Sequence, residues 1–255
     1  MNTKLEMDKQ LYNSLFRGNA KKLSVVIDPD SKEEEILAIV SECNANNIDI
    51  ILLGGSLVTE GSADSAARII KDNSSIPVVL FPGSEIQLTK KADALLLLSL
   101  ISGRNPELLI GKHVVSAPYI KRSGMETIPT GYVLIDGGRP TSVTYMSNTT
   151  PIPADKPDIA MATALAGELL GMKLIFMDAG SGALKHVSTK IIERVNKAID
   201  IPIIIGGGIN NPQDLEKVYE AGANVVVIGT SVENDFAIIH KMAQVRNQFN
   251  SKVNA

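Results

Sequence analysis

Eight short, nearly unbroken apolar runs recur along the chain, and they limit its possible folds more than any other feature. They are LSVVID (23–28), DIILLG (49–54), PVVLF (77–81), ALLLLS (94–99), GYVLID (131–136), KLIFMD (173–178), PIIIG (202–206) and NVVVIG (224–229). Continuous hydrophobicity marks strands buried on both faces, as in a parallel sheet; half-exposed strands alternate instead. Helical patterns separate most of the runs. Ser31 with Glu34 reads as a capping box ahead of Ile36, Leu37, Ile39 and Val40. Pro106, Pro157 and Pro212 stand where first turns begin, and Gly171 and Gly222 stand where helices stop.

Strand and helix repeated eight times in 255 residues predict an α/β fold, a single (β/α)8 barrel spanning 1–255. An open dinucleotide-binding sheet would carry GxGxxG after its first strand, where this chain reads DPDS. Residues 1–20 are expected to form a helix covering the barrel floor, and 137–155 an active-site loop. One unit is irregular: only PGSEIQLTKKAD separates Phe81 from Ala94, so the third helix is shortened or missing. Either the surface has been trimmed without consequence, or a gap beside the barrel mouth admits a long, thin, apolar substrate.

A net charge of −3 with scattered positive residues excludes the basic stripe that nucleic-acid backbones require. No run approaches the roughly 18 apolar residues of a membrane-spanning helix, which leaves contact with a membrane surface open. The first residues lack the apolar core of a signal peptide, and the lone Cys43 has no internal disulfide partner. A cytoplasmic protein is expected, and a homo-oligomer, since barrels often bury helix faces against copies of themselves.

In a barrel of this kind the reacting groups come from the C-terminal strand ends, and phosphate sits by the last loops. Here run six ends in Asp178, Ala179, Gly180, Ser181 and Gly182, run seven in Gly206, Gly207 and Gly208, and run eight in Gly229 and Thr230. Glycine lets backbone N–H groups approach an anion closely, so three such turns together point to a phosphate cradle. Carboxylates at strand ends are Asp28, Asp136 and Asp178. Mg²⁺ takes hard oxygens and often uses one or two carboxylates plus substrate phosphate, a role Asp28 would fill with Ser56 of the GGS turn, unless Asp28 only starts a turn. Asp178, next to the cradle, is placed to take a proton from a hydroxyl of a bound phosphate ester. Arg139 and residues 140–153 form either a lid over a diphosphate or a solvated loop. His113, His186 and His240 show no metal-ligand spacing and are given no catalytic role.

The segments IDPD (27–30), LLGGS (52–56), LFPGS (80–84), FMDAGSGA (176–183), IIIGGGI (203–209) and VVIGT (226–230), with IPTGYVLIDGGRPTSVTYMSNTTPIP (128–153), resemble the geranylgeranylglyceryl phosphate synthase family. The resemblance runs from about residue 20 to 240. It implies transfer of a C20 prenyl group from geranylgeranyl diphosphate to the 3-hydroxyl of sn-glycerol 1-phosphate, with Mg²⁺ and release of diphosphate. By position, Asp28 and Ser56 would hold Mg²⁺. Phe176, Met177, Asp178, Ala179, Gly180, Ser181, Gly182, Gly207, Gly208, Gly229 and Thr230 would hold glycerol phosphate, with Asp178 as base. Family enzymes have a displaced or missing third helix, in keeping with the short segment after Phe81. Many relatives carry Tyr where this chain has Phe176 and Glu where it has Asp178. Other readings are a synthase using a longer, C35 donor and a non-catalytic phosphate-binding barrel. A sugar-phosphate isomerase or aldolase would need a base or a Schiff-base lysine at a strand end, and no lysine stands there.

Overall fold

In the computed structural model, which describes residues 10–253, every apolar run is a strand: β1 Lys22–Ile27, β2 Ile50–Leu53, β3 Val78–Leu80, β4 Ala94–Leu100, β5 Glu126–Leu134, β6 Leu174–Asp178, β7 Ile203–Gly206 and β8 Val225–Ile228. All neighbours pair in parallel and β8 closes onto β1, giving the eight-stranded barrel. The alternation of side chains divides each strand between two cores. Leu52, Val79, Leu96, Tyr132, Phe176, Ile204 and Val227 fill the barrel interior. Ile51, Leu53, Leu95, Val133, Met177, Ile205 and Val226 face the surrounding helices. Both faces of each strand are therefore dry, which is why the runs read as continuous.

The outer layer is built from Glu33–Ala45 (α2), Ala63–Asn73 (α3), Lys112–Ser123 (α4), Pro157–Leu169 (α6), Thr189–Asn196 (α7), Pro212–Glu220 (α8) and Ile238–Val253 (α10), with short helices Ser142–Ser147 (α5) and Thr230–Asn234 (α9) after β5 and β8. Pro157 and Pro212 open their helices, while Gly171 and Gly222 follow theirs with φ of 89° and 120°. No full helix follows β3. A single 3-10 turn, Glu85–Gln87, stands there, so the outer face of β4 lacks its usual cover. None of the described helices is long and apolar enough to cross a membrane.

Three sequence expectations shift. The cap of α2 is Lys32, whose N–H donates to the Glu35 carboxylate at 3.2 Å, because the Ser31 N–H is already spent on the Asp28 carbonyl. Pro106 leads into a wide turn, Glu107–Gly111, before α4 begins. β5 starts five residues earlier than its apolar run, since Glu126–Thr130 pair with Ala94–Leu98 in the longest ladder of the barrel. The polar residues there conceal the strand: Glu126 serves as an acceptor rather than as core. Its carboxylate receives the N–H groups of Leu11 and Tyr12 at 2.9 Å, anchoring the helix Gln10–Phe16 (α1). Leu15 and Phe16 of α1 pack into the interior core beside the strand starts. The first nine residues of the expected 1–20 helix lie outside the described residues.

The same end of the barrel is tied to α10 by Arg246, which is almost fully buried and meets Asp49 at 2.6 Å and the Asn47 carbonyl at 2.8 Å. Asp49 also receives Lys22 at 3.0 Å. Arg246→Met should cost about 2–4 kcal/mol in urea unfolding, because it takes the buried guanidinium from the half-buried Asp49 carboxylate and from the Asn47 carbonyl; a change within about 0.5 kcal/mol would mean the pair does not hold α10 to the barrel.

Candidate active site

At the C-terminal end of the barrel the inward-facing positions of the strands open into a cavity of about 280 Å³. The alternation that places Phe176 inside brings Asp178 to its rim, and Val26 does the same for Asp28. The outward parity sends Met177 and Ala179 into the layer between barrel and helices. Those two side chains are therefore removed from the expected binding set.

The loops after β6, β7 and β8 meet. A Cβ placed on Gly207 would lie 2.5 Å from the Gly180 nitrogen and 2.6 Å from Asp178 Oδ1, so only glycine, here at φ 77°, lets these turns touch. Thr230 Oγ1 joins the remaining turn, within 3.1 Å of Ser181 Oγ and accepting the Gly182 N–H at 3.2 Å. The Gly180 N–H does not face the cavity, because it donates to Asp178 Oδ1 at 2.8 Å, and the Ala179 N–H is spent on the Gly206 carbonyl. Among the described residues the N–H groups of Gly207, Gly208, Gly229 and Thr230 meet no protein acceptor, and all four residues line the cavity. Buried Ser231 adds a hydroxyl without a partner. Unsatisfied donors converging on one space are the requirement for holding a tetrahedral anion.

Asp178 is buried and gripped from two sides. Tyr132 Oη donates to Oδ2 at 2.5 Å and the Gly180 N–H to Oδ1. Burial raises its pKa above the ordinary 3.8, and the two hydrogen bonds oppose that rise. Burial and the adjoining carboxylate push the Tyr132 phenol well above its usual range, so it stays a donor. Tyr132, Phe81 and Phe176 form a cluster with centroids 5.0–5.9 Å apart, flooring the cavity with aromatic faces. Gly206 makes room for it, since a Cβ there would meet the Phe176 ring at 2.9 Å.

Asp28 and Ser56 both line the opposite side. Oδ1 of Asp28 accepts the Asp30 N–H at 2.9 Å, whereas Oδ2 faces Gly55, where a Cβ would intrude to 2.7 Å. Burial raises the Asp28 pKa. The Ser56 turn is held by Gln87, buried in the 3-10 turn, whose amide bonds both the Gly55 carbonyl at 2.9 Å and its N–H at 3.2 Å. Glu233 stands at the same edge, its pKa raised by burial and by Asp28. No group of three metal-binding side chains occurs among the described residues. A carboxylate oxygen of Asp28 with no protein donor among the described residues and the Ser56 residue on the same cavity wall fit a magnesium ion, which takes hard oxygens and completes its shell with substrate oxygens and water, better than a metal needing a full protein cage.

A second cavity, about 190 Å³, leaves the first past Leu57, Val143 and Tyr132 and runs beneath α4 along the uncovered face of β4. Leu88, Leu95, Leu97, Leu98, Leu108 and Ile120 line it. His113, which has no place in the anion site, stands in this wall with Nε2 3.2 Å from Ser99 Oγ. The shortened third unit thus opens an apolar slot joined to the polar mouth. Asp136 lies outside both cavities, turned to the Gly138 N–H.

Sequence reading missed Tyr132, Phe81, Glu233 and Gln87. Tyr132 was within reach: it lies inside the predicted strand on an inward position, but its register with Phe176, two residues before Asp178, is a property of the pairing and not of either segment. Gln87 carried no signal at all.

Known proteins resemble this chain in sequence and in fold. The family model described as PcrB family matches residues 19–246. A geranylgeranylglyceryl phosphate synthase of Chitinophaga pinensis is 53% identical over 244 residues, covering 93% of this chain and 96% of that protein. One from Thermococcus gammatolerans is 41% identical over 231 residues, covering 90% of each. The crystal structure of (S)-3-O-geranylgeranylglyceryl phosphate synthase from Thermoplasma acidophilum, in complex with its substrate sn-glycerol-1-phosphate, superposes with a TM-score of 0.85 at 30% identity, covering 97% of this chain and 99% of that one.

Gly207→Ala should weaken inorganic phosphate binding at least about ten-fold by calorimetry, because the new methyl pushes the turns apart and strains a left-handed backbone. Gly18→Ala, equally left-handed at φ 98° but with open space around it, is the control and should bind as the parent does. Equal binding by Gly207→Ala would show that the cradle does not depend on the contact of these turns.

Proposed function

The chain belongs to the PcrB family, and on that premise we propose that it is a prenyltransferase that joins the C20 chain of geranylgeranyl diphosphate to the 3-hydroxyl of sn-glycerol 1-phosphate. The observation that carries this reading is the union of a phosphate cradle, a buried carboxylate and an apolar slot at one barrel mouth. The free amides of Gly207, Gly208, Gly229 and Thr230 would take the acceptor's phosphate. That leaves its glycerol facing Asp178. The donor's hydrocarbon would lie in the slot along β4, where each buried methylene contributes about 0.8 kcal/mol.

Asp178 acts as the base. Its oxygens each keep a lone pair beyond those used by Tyr132 and Gly180, so the carboxylate can accept the acceptor hydroxyl without releasing its supports. As that proton moves to Asp178, the hydroxyl oxygen bonds to C1 of the prenyl group, and the bond from C1 to the diphosphate oxygen breaks. The products are the ether and diphosphate. The aromatic faces of Tyr132, Phe81 and Phe176 exclude water beside the reacting carbon. Asp28 and Ser56 would hold Mg²⁺, which when bound neutralises charge on the departing diphosphate.

With Mg²⁺ and both substrates, the purified protein should form the phosphorylated ether, and chelation should stop it. A longer, C35 donor would outcompete the C20 one if the alternative chain length were right. Asp178→Asn should lower kcat about 10²- to 10⁴-fold; full activity in that variant would remove the base assignment.

The pH profile carries the environment of Asp178. Its carboxylate form is the active one, so the rate should climb as pH rises through a pKa above 3.8. Tyr132→Phe deletes a hydrogen bond that favours the charged form, so the rising limb should move to higher pH. A shift toward lower pH, or none, would contradict the proposed support.

A further inference from the structure

Three carboxylates, Asp28, Asp178 and Glu233, line the reaction cavity, while among the described residues no lysine or arginine does. Two substrates carrying phosphate and diphosphate would add negative charge to a half-enclosed space whose walls already hold that sign. Backbone amides supply hydrogen bonds but no net positive charge, and a divalent ion at Asp28 would stand beside the β8 end of the cradle, because β8 pairs with β1, while the β6 end lies across the closed ring from β2 and Ser56. The β6 end of the cradle is therefore short of a cation.

A guanidinium stands at its rim. Arg139 Nη2 lies 2.6 Å from the point a Cβ on Gly182 would occupy, resting on the turn that bonds Thr230. Among the described residues its side chain makes no hydrogen bond or ion pair, unlike Arg194 with Asp158 or Arg246 with Asp49. The segment carrying it is fixed on both sides to the β6 loop. Before it, the Gly137 carbonyl accepts the N–H groups of Leu184 and Lys185 at 3.0 and 3.1 Å. After it, buried Thr141 packs on Gly180, its Oγ1 2.5 Å from where a Cβ would be. The loop closes on itself through Ile135 and Ile152, with Asp136 N–H to Ile152 O at 2.8 Å and Ile152 N–H to Leu134 O at 2.9 Å. Gly138, at φ 90°, and Pro140 flank the arginine itself.

We infer that Arg139 is a binding residue for the acceptor's phosphate, closing over the anion from the open side of the cradle. This rests on the reaction assigned above. The planar guanidinium can engage two phosphate oxygens that the amides below leave free, and its exposed position lets it fold in after the substrate has entered. Its footing on the β6 turn, whose Gly182 N–H bonds Thr230 of the cradle and which lies across the ring from Ser56, assigns it to the acceptor and not to the donor's diphosphate.

Calorimetry with the full chain and sn-glycerol 1-phosphate tests this. Arg139→Met keeps the apolar stem and should bind at least about ten-fold more weakly, with Arg139→Lys between the two. Parent affinity should fall with added salt more steeply than that of Arg139→Met. In turnover, the acceptor KM should rise while the donor KM stays within about two-fold of the parent. Unchanged acceptor binding in Arg139→Met, or a rise confined to the donor KM, would overturn the inference. If the parent binds glycerol phosphate yet makes no ether, the reaction reading fails while the binding comparison still decides the role of Arg139. If the parent turns over and the variant binds equally well, only the role of Arg139 is lost.

Discussion

The hydrogen-bonded grip on Asp178 is the interaction on which the site depends. A carboxylate taken from water costs several kcal/mol unless its lone pairs are met, and here one partner comes from β5 and the other from the turn that follows β6 itself. The Gly180 bond bends the β6 loop back over its own strand, which leaves Gly207 and Thr230 to complete the anion cradle. The Tyr132 bond sets the phenol among Phe81 and Phe176. One acid therefore organises both the polar and the aromatic half of the mouth. Its raised pKa has a thermodynamic side. Stability from this group is fully present below about 3.8 and lost as pH rises through its folded pKa, so the charged form is held at some expense of stability.

Much of this was legible beforehand because barrels translate one-dimensional patterns directly. Continuous apolar runs announce strands buried on both faces, and the residue closing each run falls at the functional end. That is why Asp28, Asp178, Gly207, Gly229 and Thr230 were placed correctly at the mouth from their position alone. Alternation was available too, and applying it would have removed Met177 and Ala179, which follow inward residues and so face the helices. The contiguous motif had drawn them in.

What stayed hidden depends on contacts between distant segments. Glu126 and Thr130 look like loop residues until β4 supplies the ladder that makes them strand. Gln87 looks like any polar residue in a short linker, yet its amide is the brace that holds the Ser56 turn. The fate of individual amides was equally unreadable: Gly180 and Gly207 are both glycines beside the cradle, and only the folded geometry separates the N–H that serves Asp178 from the one left open.

The bare outer face of β4 has a consequence for the resting molecule. In an ordinary barrel a helix keeps those leucines dry; here Leu97 is only partly covered, and the slot beside it is open to water when empty. A hydrocarbon lying in that slot would act as a temporary piece of the outer wall. Folding and ligand uptake would then draw on the same apolar surface, and the barrel would be most complete as architecture while a hydrocarbon filled the slot.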